Sequence, residues 1–217
     1  MGRFLVRLFR LALGLVLFAF GIVFTLKANI GYSPWEILHS GITRQTGVSI
    51  GMVSVIVGTL IGIAVWTKGE KFGLGSILNM VVIGILVDLI LASDLIPLSH
   101  SLGGGALLML IGLYIIALGS YYYIDAGFGA GPRDGLMLLL TRVTKLPIGL
   151  VRGSIEFAAA FLGWLMGGMV GLGTIIAVVG SGFCVQTTFK LLRFNTERVQ
   201  HETLQETFRH LQALRSK

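Results

Sequence analysis

Ionisable residues inside long apolar stretches are the first places where this chain could do chemistry. Arg152 and Glu156 stand four residues apart in one such stretch, so a helix would place both side chains on one face. Charged groups within a membrane are costly, and they either pair with each other or serve transport. We therefore consider two roles for Glu156, a structural ion pair with Arg152 or the binding of a coupling proton. Asp88 is a further candidate, late in its own apolar stretch and closer to the expected membrane surface.

Two Gly-Pro segments, residues 28–36 and 126–134, form a second group of candidates. Glycine allows close approach of a ligand or another backbone, and proline suits the first position of a helix. One interpretation is that both segments bind a substrate; the other is that each merely begins a short helix, with Ser33 as N-cap of a Ser-x-x-Glu capping box. The candidate binding residues are Asn29, Gly31, Ser33, Pro34, Trp35, Glu36, Gly129, Gly131, Pro132, Arg133 and Asp134.

Charged residues flank both segments. Lys27 and Glu36 belong to the first, and Asp125 and Arg133 to the second. We consider an ion pair beside each break, against the alternative that all four side chains face lipid headgroups. A carboxylate at each helix start competes with an anionic ligand for the helix dipole, which disfavours a small bound anion.

The two segments belong to an internal repeat. An offset of 98 residues, without a gap, aligns Pro34 with Pro132, Arg44 with Arg142 and Trp66 with Trp164. Matched glycines and prolines imply the same backbone path in both copies. Each copy contains a long helix, a short helix after the Gly-Pro break, and two further spans. The expected bounds are 8–27, 34–45, 49–66 and 73–93 in the first copy, and 104–124, 132–144, 148–166 and 170–190 in the second.

The composition is that of an integral membrane protein. Of 217 residues, 54% are hydrophobic and 12% charged, and the mean hydropathy is +0.87. Soluble domains have about 25% charged residues. The short helices are too polar to cross a hydrocarbon core of about 30 Å. Each copy then crosses the membrane three times, so the second copy must be inverted. With both termini cytoplasmic, Lys27 and Arg44 are the main cations outside, as the positive-inside rule requires.

The predicted fold is therefore an all-α membrane protein. Six transmembrane helices form two inverted three-helix repeats, each with a short broken or re-entrant helix. Residues 1–98 form the first repeat, 99–193 the second, and 194–217 a cytoplasmic amphipathic tail. The predicted location is the bacterial plasma (inner) membrane. We assign Tyr121-Tyr122-Tyr123 to the interfacial aromatic belt and the four histidines to external connections and the tail.

The segment Gly31-Tyr32-Ser33-Pro34-Trp35, its mirrored Gly-x-Gly-Pro-Arg-Asp and the two Gly-Leu-Gly motifs resemble those of the bacterial YczE-type membrane proteins, of the YczE/YyaS/YitT grouping. The resemblance covers about residues 5–192. It implies a bacterial cell-membrane protein of poorly defined function, and it supplies no catalytic residues.

The leading functional hypothesis is a small transporter or exporter of an unidentified small solute, working by alternating access around the two broken segments. The alternative is a non-transporting subunit, for substrate capture or accessory work, in a larger transport or biosynthetic complex. We expect no enzyme, no cofactor and no metal, because neither a nucleophile with its base, nor a metal-ligand cluster, nor a phosphate loop is visible. The expected partners are the lipid bilayer, the solute, and either a second copy or a partner membrane subunit. The net charge of +7 is explained by basic inner loops, so we expect no nucleic acid.

Overall fold

The computed structural model describes residues 2–69, 73–129, 131–194, 202–203 and 206–207. These residues form eight α-helices and no strand. The helices are α1 (Gly2–Lys27), α2 (Pro34–Thr46), α3 (Ile50–Trp66), α4 (Leu74–Ala92), α5 (Leu102–Asp125), α6 (Pro132–Thr144), α7 (Ile148–Leu165) and α8 (Leu172–Leu191). Most of the predicted tail (residues 195–201, 204–205 and 208–217) lies outside the described residues.

Four helices are long and apolar enough to cross a membrane: α1 from Phe4 onward, α4, α5 and α8. Helices α2 and α3 pass the same test together and are bent by 113° at their connection, so the described chain has four or five candidate spans. Helix α3 has only 17 residues, and α7 carries Arg152 and Glu156 among its 18. The predicted total of six spans stays a prediction for these two helices.

The backbone repeats with the same offset as the sequence. Helix α6 begins and ends 98 residues after α2. Helix α7 likewise begins 98 residues after α3, and α8 begins 98 residues after α4. Gly31 and Gly129 share a left-handed conformation, with φ of 116° and 109°. Only glycine adopts this conformation without strain, which explains its presence at both breaks.

The centre of the fold is a close pair formed by α1 and α5. A Cβ added to Gly14 would lie 2.9 Å from the carbonyl oxygen of Gly119, and one added to Gly21 would lie 2.8 Å from that of Gly112. The partners run in reverse order along the two helices, so α1 and α5 are antiparallel. Helices this close need residues without side chains at the crossing points.

The remaining helices pack around this pair. Helix α4 lies on α1, α8 on α5 and α3 on α4, whereas the short helices cross between repeats, with α2 on α7 and α6 on α3. Each break also contacts the opposite repeat. The Gly173 N–H donates to the Ile30 carbonyl at 2.7 Å, and the Gly75 N–H donates to the Phe128 carbonyl at 2.7 Å. The two Gly-Leu-Gly motifs therefore hold the two breaks in place.

Different segments close the two breaks at their outer ends. The Ser99 N–H donates to the Lys27 carbonyl at 2.8 Å beside the first break. Beside the second, the Glu202 N–H donates to the Gly127 carbonyl at 2.8 Å, and the Glu202 carboxylate pairs with Arg7 at 2.5 Å. One break is thus held by the connection between repeats and the other by the tail.

The outer surface is apolar, as a bilayer requires. Phe157 on α7 has 71% of its surface exposed, and other large exposed side chains include Leu60, Leu89, Leu107, Ile175, Val179 and Phe183. With the membrane-spanning helices, these side chains place the protein in contact with the lipid bilayer.

Candidate functional site

All eight helices contribute to the wall of one central cavity of about 400 Å³. Its apolar side is formed by residues such as Phe18 and Ile22 of α1 and Ile116 of α5. The polar side chains in its wall come from α3 to α8: Ser54, Asn79, Ser120, Tyr123, Arg133, Asp134, Arg152, Glu156 and Ser181. A cavity of this size suits a small ligand.

The first residues of the two short helices meet at this wall. The Arg133 guanidinium lies over the Trp35 ring, 4.5 Å from the ring centroid. These residues are separated by the repeat offset, so equivalent positions of the two copies touch each other. A cation over an indole face is a favourable contact, about 0.5–2 kcal/mol depending on desolvation. The contact joins the two breaks directly.

Arg133 is also the centre of a charged cluster. It interacts electrostatically with Glu36, Asp134 and Glu156. Glu36 is buried, with 6% of its surface exposed. Glu156 forms the predicted pair with Arg152, with 3.1 Å between Nε and Oε1. Opposite charges from both repeats thus neutralise much of one another beside the cavity, which lowers the cost of placing them inside a membrane.

Tyr123 belongs to the cavity wall and not to an interfacial belt, so the belt prediction was wrong for this residue, whereas for Tyr121 and Tyr122 it stays a prediction. Its hydroxyl accepts a hydrogen bond from the Gly131 N–H at 2.7 Å, and its ring is buried. A signal was available in the sequence, since Tyr123 follows Gly119 by one helical turn. The face of α5 that carries Gly112 and Gly119 packs on α1, and Tyr123 lies on that same face, so its side chain must point inward. Three consecutive helical residues cannot all face the membrane surface, which the assignment to an aromatic belt did not take into account.

The predicted site residues divide into two groups. Those that line the cavity are Trp35, Gly131, Pro132, Arg133, Asp134, Arg152 and Glu156. Those outside its lining are Asn29, Gly31, Ser33, Pro34, Glu36, Gly129 and Asp88. The second break and α7 therefore contribute more to the cavity than the first break does.

Several residues outside the lining have structural contacts. The Asn29 side-chain amide donates to the Ser99 carbonyl at 3.3 Å. Gly31 lies against Gly171, where a Cβ would be 2.6 Å from the Gly171 nitrogen. Ser33 is the N-cap of α2, as predicted, but its side chain makes no cap bond, so the expected capping box is absent. Glu36 is turned toward the charged cluster instead.

Asp88 caps a helix. One carboxylate oxygen accepts from the Gly51 N–H at 2.8 Å, and the other accepts from the Ser49 hydroxyl. The carboxylate thereby ties the second half of α4 to the N-terminus of α3. It satisfies a backbone donor that α3 itself leaves unpaired.

The ion pairs expected beside the breaks are not formed. Lys27 pairs with Asp94 at 2.9 Å, and Asp125 pairs with Arg10. Local proximity in the sequence was misleading, because each break brings a distant chain segment next to its charged residue. The assignment of His39 to an external connection was also wrong. Its side chain is 3% exposed, inside α2, and Nε2 has no hydrogen-bond partner among the described residues.

Comparison with known proteins identifies the family. Residues 5–190 match the family of unknown function DUF6198. The uncharacterized membrane protein YczE of Bacillus subtilis is 33% identical over 196 residues, covering 85% of this chain and 88% of that protein. An uncharacterized protein of Haemophilus influenzae is 34% identical over 160 residues, covering 73% of this chain and 72% of that protein.

The uncharacterized protein YyaS of Bacillus subtilis is 28% identical over 173 residues, covering 78% of this chain and 86% of that protein. No solved structure matches this chain. The match extends from α1 nearly to the end of α8 and includes every residue of the cavity wall. The chain is therefore a YczE-type membrane protein and belongs to the family of unknown function DUF6198.

Proposed function

We propose that this protein transports a small solute across the bacterial plasma membrane by alternating access to the central cavity. The contact of Arg133 with Trp35 carries the proposal, because it places equivalent breaks of the two repeats side by side at the cavity wall. In transporters with inverted repeats, the binding site lies between the repeats, where interrupted helices meet near the bilayer midplane.

Two further observations support an inverted pair of three-span repeats. The antiparallel contact of α1 with α5 pairs the leading helices of the two copies in opposite directions. The basic residues then fall mostly on one side, which favours cytoplasmic termini. On this arrangement α3 and α7 complete the six spans, and the short α2 and α6 re-enter the protein without crossing it.

The wall chemistry indicates a polar or zwitterionic solute. Arg133 and Arg152 offer cations, Asp134 and Glu156 offer carboxylates, and serines and Asn79 provide hydrogen-bonding groups. A ligand with one charge of each sign would find partners for both. An isolated small anion would meet the carboxylates as well as the arginines, so it is disfavoured. No enzymatic step is needed for this role.

The test is cysteine accessibility at the wall in a Cys184→Ser background, which removes the sole cysteine. Ser54→Cys and Ser120→Cys place thiols on α3 and α5 of the wall. An impermeant thiol reagent is applied separately to each face of oriented vesicles. Alternating access predicts labelling of both positions from both faces. The control Leu60→Cys, on the exposed face of α3, should stay unlabelled because it faces lipid.

Labelling from one face only, under every condition, would contradict transport by this chain alone. The non-transporting subunit would then be the better interpretation, and the next step would be purification with a partner.

A further inference from the structure

The two repeats differ most where their last two helices should meet. In the first repeat α3 packs on α4, whereas the described residues of α7 and α8 flank the cavity without packing on each other. We call the line along which α3 meets α4 the first seam, and the corresponding line between α7 and α8 the second seam. The two edges of the second seam are formed by Arg152, Ile155 and Glu156 of α7 and by Ser181 and Val185 of α8. The cavity wall is therefore continuous at α3–α4 and interrupted at α7–α8.

The same glycines occupy both seams. A Cβ added to Gly51 would lie 2.0 Å from the Gly84 carbonyl oxygen, and one added to Gly84 would lie 2.5 Å from the Gly51 carbonyl oxygen. The equivalents one repeat later are Gly149 and Gly182, and none of the described residues lies within 4 Å of a Cβ added to either. The second seam thus has the glycine pair that a tight crossing needs, without the crossing.

We propose that the seam between α7 and α8 is the gate of the central cavity, and that it closes by bringing Gly149 against Gly182 as Gly51 lies against Gly84. The proposal extends the transport function above and identifies its moving element. The described state has the first seam closed and the second open. The alternate state closes the second, which is how inverted repeats exchange conformations.

Glu156 makes this closure sensitive to what the cavity holds. Its equivalent in α3 is Gly58, where an added Cβ would lie 3.6 Å from the Met80 side chain and 3.9 Å from Pro132. The equivalents of Met80 and Pro132 are Val178 and Pro34. Closing the second seam in the same geometry would press the Glu156 carboxylate toward two apolar residues.

A carboxylate moved into such surroundings must be neutralised or given partners. Arg133 already faces two other carboxylates, those of Glu36 and Asp134, so it offers Glu156 only part of its charge. Arg152 travels on the same helix and remains 63% exposed in the open state, so it is a partner whose own solvation would also be lost. A cationic group of the solute on Glu156 would lower the cost of closure. Glu156 is thus a positioning residue that links occupancy of the cavity to the gate.

Cross-linking tests the gate directly. Gly149→Cys and Gly182→Cys are introduced together in the Cys184→Ser background, and neither thiol meets an obstacle in the open state. A disulfide needs Cα atoms about 4.4–6.8 Å apart, so it can form only if the seam closes. After oxidation in membranes, a maleimide carrying a polymer tag adds two tags to the open pair and none to the linked pair. The matched control is Gly149→Cys with Ile175→Cys, since Ile175 is exposed on the same face of α8 as Gly182 but lies seven residues, or about 10 Å, further along the helix axis.

We expect oxidation to protect the 149/182 pair and to leave the 149/175 pair fully tagged. Adding Glu156→Gln should raise the rate of protection on the order of tenfold, because the neutral amide is cheaper to bury than the carboxylate. Full tagging of the 149/182 pair, while each single cysteine reacts with the reagent and the protein elutes as one species, would overturn the gate. An unchanged rate in Glu156→Gln would overturn the role of Glu156.

The cross-link and the vesicle labelling can fail separately. A cross-link with one-sided labelling of Ser54→Cys would keep the gate and remove transport, whereas two-sided labelling without a cross-link would keep transport and remove this gate.

Discussion

The seam between α3 and α4 and the seam between α7 and α8 have the same glycines and different structures. Gly51 and Gly84 are in contact in the first, and Gly149 and Gly182 stand apart in the second. Their neighbours explain the difference. Ser49 and Asp88 tie the first seam together, whereas the equivalent residues of the second are Pro147 and Gln186. Small residues permit a crossing, and the groups around them decide whether it forms.

The largest expected effect concerns the glycines themselves. Gly51→Ala should destabilise the protein by about 2–3 kcal/mol, since the new Cβ would overlap the backbone of α4 and the helices would have to separate. Gly149→Ala meets open space and should gain about 0.5–1 kcal/mol from helix propensity. The apparent melting temperatures of the two detergent-purified variants should therefore shift in opposite directions. Equal losses in both would show that the second seam is packed in solution.

Removing the tie of the first seam should have the next largest effect. Asp88→Ala leaves the Gly51 N–H and the Ser49 hydroxyl without their acceptor, at a cost of about 1–2 kcal/mol. Gln186→Ala, its equivalent, should change stability by less than about 0.5 kcal/mol. Thermal unfolding of both variants measures the difference. A loss in Gln186→Ala as large as in Asp88→Ala would mean that the second seam has a tie of its own.

The contact between the short helices allows a double-mutant cycle. Trp35→Leu and Arg133→Met should show a coupling of about 0.5–2 kcal/mol, as expected for a cation over an indole ring. The control cycle combines Trp164→Leu with Arg133→Met. The Trp164 side chain is largely exposed on α7, so this cycle should show no coupling. Unfolding of the four proteins of each cycle supplies the energies. Equal coupling in both cycles would remove the specific contact.

The smallest effects concern the segments that hold the breaks at their outer ends. Glu202→Ala removes the partly buried carboxylate that pairs with Arg7 and should lower the free energy of unfolding by about 1 kcal/mol. Asp94→Ala should cost at most about 0.5 kcal/mol, because Asp94 is 85% exposed where it pairs with Lys27. Limited proteolysis at low protease concentration reports such differences as changes in cleavage rate. Faster cleavage of the Asp94→Ala variant than of the Glu202→Ala variant would show that the connection between repeats stabilises its break more than the tail does.

Much of the fold could be predicted from the sequence. The gapless offset and the Gly-Pro breaks located all eight helices to within a few residues, except that α1 begins earlier, at Gly2. Glycine and proline determine local backbone geometry, which is why their repetition was informative. The ion pair of Arg152 with Glu156, one of the two roles considered for Glu156, is formed, because a helix alone sets that spacing.

The contacts that depend on tertiary packing could not be predicted this way. Lys27 finds Asp94, and Arg10 finds Asp125, because helix packing brings distant segments together. The contact of Trp35 with Arg133 requires both short helices to begin at the same place in the fold. The open seam was beyond reach for another reason: the sequence around Gly149 and Gly182 permits two arrangements, and an alignment of the two copies cannot tell which is adopted.

The contact of Trp35 with Arg133 has a consequence for the history of the chain. In a symmetric dimer of two identical three-helix proteins, a residue on the twofold axis faces its own copy. Such an ancestor would have paired one residue type with itself there, and a pair of arginines would have set like charges against each other. A guanidinium over an indole at that point requires two subunits of different sequence. Joining the copies in one chain, or separating them into two genes, is thus a precondition for this contact.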